Sequence, residues 1–259
     1  MYLLDRDTAL TPDGTDQYRL TVSPNWNITA PNGGYVMAIA ARALVAGSEF
    51  SDVISLSASF HKPTGTIESV VQVRELSRTK RMRTAQISLL QSGQLVSTFI
   101  GTATLPGAMR GRTEHRGIAP EWDGSHAVDP DILPLPFQKA VRITLPQSQF
   151  GWTAGETGQD MKFHGHFQFA DHRPLDRLAL VLLCDATPPP ALRLTGPLGW
   201  VPTLDMNVQI RATPTGTRCN FESRTRFISD GLCETDIDLW SEDGVLLAIG
   251  RQLALLRES

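Results

Sequence analysis

Two stretches of this sequence, about half a chain apart, carry the same succession of signals. A repeat of that period restricts the chain to two copies of one folding unit. In the first copy Asn32-Gly33-Gly34-Tyr35 opens a run that stays apolar to Leu44, and the run from Asp176 to Pro188 is its counterpart. A segment apolar on nearly all faces reads as a buried helix, here about residues 34–46. β-rich sequence with matching punctuation follows each helix. Ser77-Arg78-Thr79-Lys80-Arg81 is echoed by Ser223-Arg224-Thr225-Arg226-Phe227, and residues 87–96 by residues 237–247. In both of the latter an alternating strand reaches a Gly-containing turn and a second strand returns, which predicts a hairpin.

Strands are also expected before each helix, at residues 17–22 in the first copy and at 139–145 and 163–169 in the second. The order is then strand, one buried helix, several antiparallel strands. A lone hydrophobic helix must be covered on most of its surface, and a curved antiparallel sheet wrapped around it does that. This is the hotdog architecture, so the expected fold is α+β, a double hotdog. The expected division is residues 1–106, a Pro-, Gly-, His- and Asp-rich linker at 107–136, and residues 137–259. Fusing two copies supplies each with the neighbour that its edge strand needs.

Composition excludes other classes. Hydrophobic residues make up 41% and charged residues 20%, which suits a globular chain rather than disorder or a membrane protein. The net charge of −3 leaves no footprint for nucleic acid. The apolar runs at 35–41 and 178–184 are too short to span a bilayer. The first residues lack a basic, apolar leader pattern, and Cys184, Cys219 and Cys233 form neither a metal spacing nor an even disulfide framework. A cytoplasmic location is therefore expected, with no membrane partner.

Several segments, in this order, resemble the acyl-CoA thioesterase II family over nearly the whole chain. They are Asn32-Gly33-Gly34-Tyr35, Ser59-Phe60-His61-Lys62-Pro63, the Arg78 and Arg81 pair, Leu183-Cys184-Asp185-Ala186, Thr203-Leu204-Asp205, and residues 243–253. The resemblance implies hydrolysis of acyl-CoA, with CoA as part of the substrate and no separate cofactor. It also implies that an Asp, a Thr and a Gln of the second hotdog hold the hydrolytic water, roles that fall on Asp185, Thr203 and Gln252. The second copy departs from the family pattern at Arg211-Ala212, where a basic residue and proline are expected, and at Met206, where His is common. The first copy has Arg42 and Gly101 where the second has Asp185 and Gln252, so one half is expected to be catalytic and the other supporting.

The residues themselves support such chemistry. A carboxylate at the end of a helix faces the negative end of the dipole, and apolar neighbours desolvate it. Both effects raise the pKa of Asp185 toward a useful general base. A thioester releases a thiolate, which needs little help from a general acid near neutral pH. Gly33 and Gly34 at a helix start are candidates for oxyanion or substrate binding, though they also suit a tight helix start alone. Arg78 and Arg81 are candidates for the CoA phosphates, with a solvated hairpin face as the plainer reading.

Taken singly, Thr203 is an ordinary strand residue and Gln252 an ordinary edge-strand polar group. His164 and His166 share a strand face, with Asp171 and His172 nearby, but lack a third ligand at a known spacing, so a polar strand surface and no metal are expected. No Gly-x-Ser-x-Gly elbow occurs, and Cys184 has no evident His partner for covalent catalysis. Two alternatives are a non-catalytic acyl-CoA or acyl-carrier binding protein and an enoyl-CoA hydratase using Asp123 with His126, or Asp171 with His172. Assembly of double-hotdog units into a homo-oligomer is left open.

Overall fold

The computed structural model describes residues 1–114, 117–120, 126–127, 135–158, 160–196 and 201–256. The first copy contains α1 (Leu3–Asp7), β1 (Thr11–Pro12), β2 (Gln17–Thr21), α2 (Gly33–Val45), β3 (Asp52–Phe60), β4 (Glu68–Arg78), β5 (Met82–Gln91) and β6 (Gln94–Thr104). The second contains β7 (His126–Ala127), α3 (Pro136–Ala140), β8 (Val141–Leu145), β9 (Lys162–Phe169), α4 (Arg177–Leu183) and α5 (Leu192–Thr195). It closes with β10 (Thr203–Ile210), β11 (Arg218–Arg224), β12 (Ile228–Ser229), β13 (Leu232–Trp240) and β14 (Leu246–Leu255).

Among the described residues, all strands belong to one antiparallel sheet, ordered β1-β2-β4-β5-β6-β3-β10-β14-β13-β11-β9-β8-β7, with β12 beside β13. The order outward from the centre is the same on both sides, so β3 and β10, β6 and β14, β5 and β13, and β4 and β11 are equivalent pairs. The copies join at β3 and β10, from Asp205 opposite Ser59 to Gln209 opposite Ser55. Backbone hydrogen bonds that would otherwise face water close this seam. The double hotdog expected from the repeat is the observed fold.

Each helix starts for the same local reason. The Asn32 side chain caps α2 by accepting from Tyr35 N–H at 3.0 Å, and Asp176 caps α4 by accepting from Ala179 N–H at 2.7 Å; these side chains satisfy donors that helix geometry leaves unpaired. Helix α2 ends before Gly47, whose φ of +63° is accessible to glycine without strain. The second helix is only seven residues long, because Pro188-Pro189-Pro190 follows closely and cannot continue it.

Both helices lie in one apolar core that runs across the seam and includes Tyr35, Met37, Leu44, Leu180, Leu182 and Phe167. Burial of each large side chain there contributes about 1.5–3 kcal/mol. Among the described residues, no helix is long and apolar enough to cross a membrane.

One local expectation is corrected. The segment read as a strand from 139 begins as helix α3, since Pro136 occupies its first turn, where a missing N–H costs nothing. Much of the linker read at 107–136, with Asp123, lies outside the described residues.

Candidate active site

A cavity of about 480 Å³ opens where the N-terminus of α2 meets the end of α4. Its size falls within the range of ordinary small-molecule sites. Val36, Phe60, Phe137, Trp152, Leu192 and Val201 supply apolar wall, and Asp185, Thr203 and Gln252 line the same space. His61 and Lys62, both exposed, stand at the rim, where Lys62 donates to Gln94 Oε1 at 2.7 Å.

Asp185 belongs to the second copy, but the first copy holds it. Its Oδ2 accepts from Gly34 N–H at 2.8 Å and from Asn32 Nδ2 at 3.0 Å, while Asn32 Nδ2 also reaches the Asp185 backbone carbonyl at 2.8 Å. The residue keeps partial exposure where it lines the cavity. Burial of the carboxylate pushes its pKa up to about 6, against the opposing pull of donors from Gly34, Asn32 and Gly33. The predicted direction is therefore right and part of the predicted cause is not. Asp185 lies beyond the last turn of its own helix and against the positive end of α2, so the dipole it feels lowers its pKa.

The same bonds correct the reading of Gly34 as an oxyanion donor, because the Asp185 carboxylate takes its amide; Gly33 lines the cavity. Close packing is what requires glycine here. A Cβ on Gly34 would lie 2.4 Å from the Leu182 carbonyl oxygen, and one on Gly33 would lie 2.9 Å from Asp185 Oδ2.

The polar pair opposite is set by a strand irregularity. Between Thr203 and Asp205 the register of β10 against β14 shifts, and a bulge of this kind re-aims side chains. Regular alternation from Met206, Val208 and Ile210, all buried, would turn Leu204 inward. Leu204 is instead exposed, and Thr203 donates its hydroxyl to Gln252 Oε1 at 2.8 Å. Gln252 sits on β14, which lies between β10 and β13, so it is no edge residue; it is 7% exposed. Asp185 is brought alongside because the end of α4 packs onto β14. A Cβ on Gly250, two residues before Gln252, would lie 3.2 Å from Cys184 Cβ.

Arg78 and Arg81 are not part of this site. Phe60 stands opposite Ser97 near the cavity, and Asp52 stands opposite Thr104 at the other end of the same pair, roughly 26 Å away at the usual strand rise. The hairpin that carries both arginines is at that far end, where Met82 faces Thr104. Arg78 is neutralised by Glu75 at 3.1 Å and lies over the Phe50 ring. Arg81 borders a shallow depression with Lys80 and Arg110.

The equivalent end of the first copy is closed by charge. Arg42 donates to Asp5 and Thr8, while Arg173 bonds both Asp5 and Asp176. Arg177 fills the position matching Gly33 and donates to the Val53 carbonyl at 3.1 Å. Val53 and Gly101 stand in for Thr203 and Gln252, so those two positions carry neither hydroxyl nor amide.

His164 and His166 are also better placed than a polar surface suggests. Gln149 lies 2.6 Å from His164 Nδ1. His166 is mostly buried, and burial together with nearby Arg218 lowers its pKa to about 4. Among the described residues, no three His, Cys, Asp or Glu side chains cluster as a metal set.

In the sequence Asn32 stands out only as part of a helix start. Its second task depends on a contact 153 residues away, for which no local signal exists.

Comparison with known proteins identifies the family and the fold. The model of the acyl-CoA thioesterase N-terminal domain matches residues 22–105, and that of the acyl-CoA thioesterase C-terminal domain matches residues 114–256. A candidate thioesterase II from Thermobifida fusca YX superposes with a TM-score of 0.88 at 26% identity, over 100% of this chain and 98% of that one. A hot dog protein of unknown function from Alicyclobacillus acidocaldarius gives 0.90 at 22% identity, over 100% and 99%. An acyl-CoA thioesterase II from Mycobacterium marinum gives 0.73 at 17%, over 99% and 98%. No protein of curated function matches the sequence. With both halves matched in order by its two domain models, the chain belongs to the acyl-CoA thioesterase family.

Proposed function

We propose that the protein hydrolyses acyl-CoA thioesters to free acid and CoA, using one water held between Asp185, Thr203 and Gln252. The observation that carries this reading is a carboxylate of raised pKa lining the same cavity as a hydroxyl–carboxamide pair of fixed orientation. The bonds from Asn32 Nδ2 and Gly34 N–H both fall on Oδ2, so Oδ1 is assigned to the water. Thr203 spends its proton on Gln252 Oε1 and keeps lone pairs to accept one. Gln252, with its oxygen engaged, presents Nε2 as a donor. A water donating to Asp185 and Thr203 and accepting from Gln252 has one lone pair left for the carbonyl carbon.

As the carbon–oxygen bond forms, the water proton passes to Asp185. Collapse of the tetrahedral intermediate breaks the carbon–sulfur bond. CoA leaves as a thiolate, whose ordinary pKa of about 8.5 makes it a competent leaving group, and the proton on Asp185 returns to thiolate or solvent. Lys62 and His61, rather than the distant Arg78 and Arg81, are assigned to the phosphate-bearing end of CoA, since they border the rim. The apolar walls favour medium- to long-chain acyl groups.

Release of free thiol from palmitoyl-CoA and shorter homologues tests the reading. Turnover that falls sharply in Asp185→Asn is expected. Absence of turnover at every chain length favours a non-catalytic acyl-CoA or acyl-carrier binding protein. Hydration of crotonyl-CoA would point to the hydratase alternative, but Asp171 accepts from Leu3 N–H at 2.7 Å and His172 meets Gln168 at 3.0 Å, and neither lines the cavity. Asp123 lies outside the described residues.

A further inference from the structure

Resting on the thioesterase reading, we infer that Gln138 is a specificity residue that selects acyl chains bearing a hydroxyl group. Gln138 lies on α3 and lines the cavity while being only 7% exposed. Its carboxamide has no hydrogen-bond partner among the described residues. The polar groups that hold Asp185 are engaged, and Gln252 has Thr203, so Gln138 stands apart from the catalytic set as a donor and acceptor of the cavity lining, which also holds the unpartnered Trp152 Nε1.

Its neighbours fix which part of the substrate it meets. Lys62, His61 and Leu204 are exposed and mark the mouth. Phe137, Leu192 and Trp152 are buried parts of the same lining, and Gln138 follows Phe137 directly. The Phe137 N–H donates to the Asn27 carbonyl at 3.1 Å, and the Phe137 ring packs edge-on against Trp26 at 6.3 Å. The base of α3 is thus fixed, and Gln138 is presented from a rigid support. With the thioester at Asp185 and the CoA arm leaving by the exposed mouth, the buried Gln138 is assigned to the acyl chain.

A plain hydrocarbon tail there leaves the amide unpaired as it displaces water, whereas a hydroxyl serves it as donor or acceptor. Sites built to bond a substrate hydroxyl discriminate strongly against the analogue lacking it. Because Gln138 keeps some exposure, a preference of roughly tenfold in kcat/KM is expected.

The test is a positional series of hydroxyoctanoyl-CoA esters against octanoyl-CoA, assayed with wild type, Gln138→Leu and Gln138→Met. Methionine keeps the length of the side chain and lacks the amide. At least one hydroxylated ester should be preferred by wild type, and the ratio of its kcat/KM to that of octanoyl-CoA should collapse toward one in both variants. Equal rates for all esters in wild type overturn the inference. So does an unchanged ratio in the variants, which would assign Gln138 to the pantetheine arm shared by every ester. Hydrolysis without discrimination sinks only this inference; no hydrolysis of any ester sinks the thioesterase reading beneath it.

Discussion

Replacing Asp185 with Asn separates what the fold needs from what the chemistry needs. Folding moves the Asp185 pKa from 3.8 to about 6, and each unit is worth 1.36 kcal/mol. Below pH 3.8 both folded and unfolded chains carry the proton, and the residue makes no pH-dependent contribution. Between pH 3.8 and 6 the folded chain keeps a proton that the unfolded chain has lost, so stability falls as pH rises. Above pH 6 the full cost applies, about 3 kcal/mol at most, and partial exposure through the cavity trims it toward about 1. Asparagine can still offer an oxygen to Gly34 N–H and Asn32 Nδ2 but carries no charge. Asp185→Asn should therefore be more stable than wild type by about 1–3 kcal/mol at pH 7, with little gain at pH 4. Its turnover should drop by about 10²–10⁴ through loss of the general base. Urea unfolding of both proteins at the two pH values, alongside thiol release, reads both effects. A variant that is less stable at pH 7, or a stability difference independent of pH, would refute the account of Asp185.

For wild type, kcat/KM should climb as pH rises through about 6 and then level off, because the ionised carboxylate is the active form; a profile that falls over that range contradicts it. Thr203→Val should lower kcat/KM by roughly tenfold with little change in melting temperature, since Gln252 loses the hydroxyl that orients it. Gly34→Ala should cost about 1–3 kcal/mol by overpacking, measurable by denaturant unfolding, because its Cβ would meet the Leu182 carbonyl at 2.4 Å. Arg78→Ala and Arg81→Ala should leave KM for acyl-CoA unchanged, and a clear rise would restore the arginine hairpin to the substrate path.

Much of the architecture could be read from residue order because its causes are local. Asn32 and Asp176 cap their helices through side chains three residues from the donors they satisfy, and the hairpin at residues 87–96 turns at Ser92 and Gly93, both with positive φ. Asp185, Thr203 and Gln252 could be named from the resemblance to the thioesterase family. Their geometry could not, because it is set by long-range events. A bulge decides that Thr203 and not Leu204 faces inward, and the seam decides which helix terminus meets Asp185. Arg78 and Arg81 misled for the same reason: charge type suggested phosphate, while strand register carried them to the wrong end of the sheet. Gln138 gave no signal, since an amide in a five-residue helix looks like any surface glutamine until burial is known.

The grip of Asn32 and Gly34 on Asp185 crosses the β3–β10 seam. Catalytic competence is thus a property of the docked pair and of neither half, so severing the chain between the halves should produce two inert fragments whose activity returns only on complementation. Duplication in such a lineage relaxes a constraint that a symmetric dimer must obey: one interface can be tuned for turnover while its mirror is given over to arginine and aspartate braces.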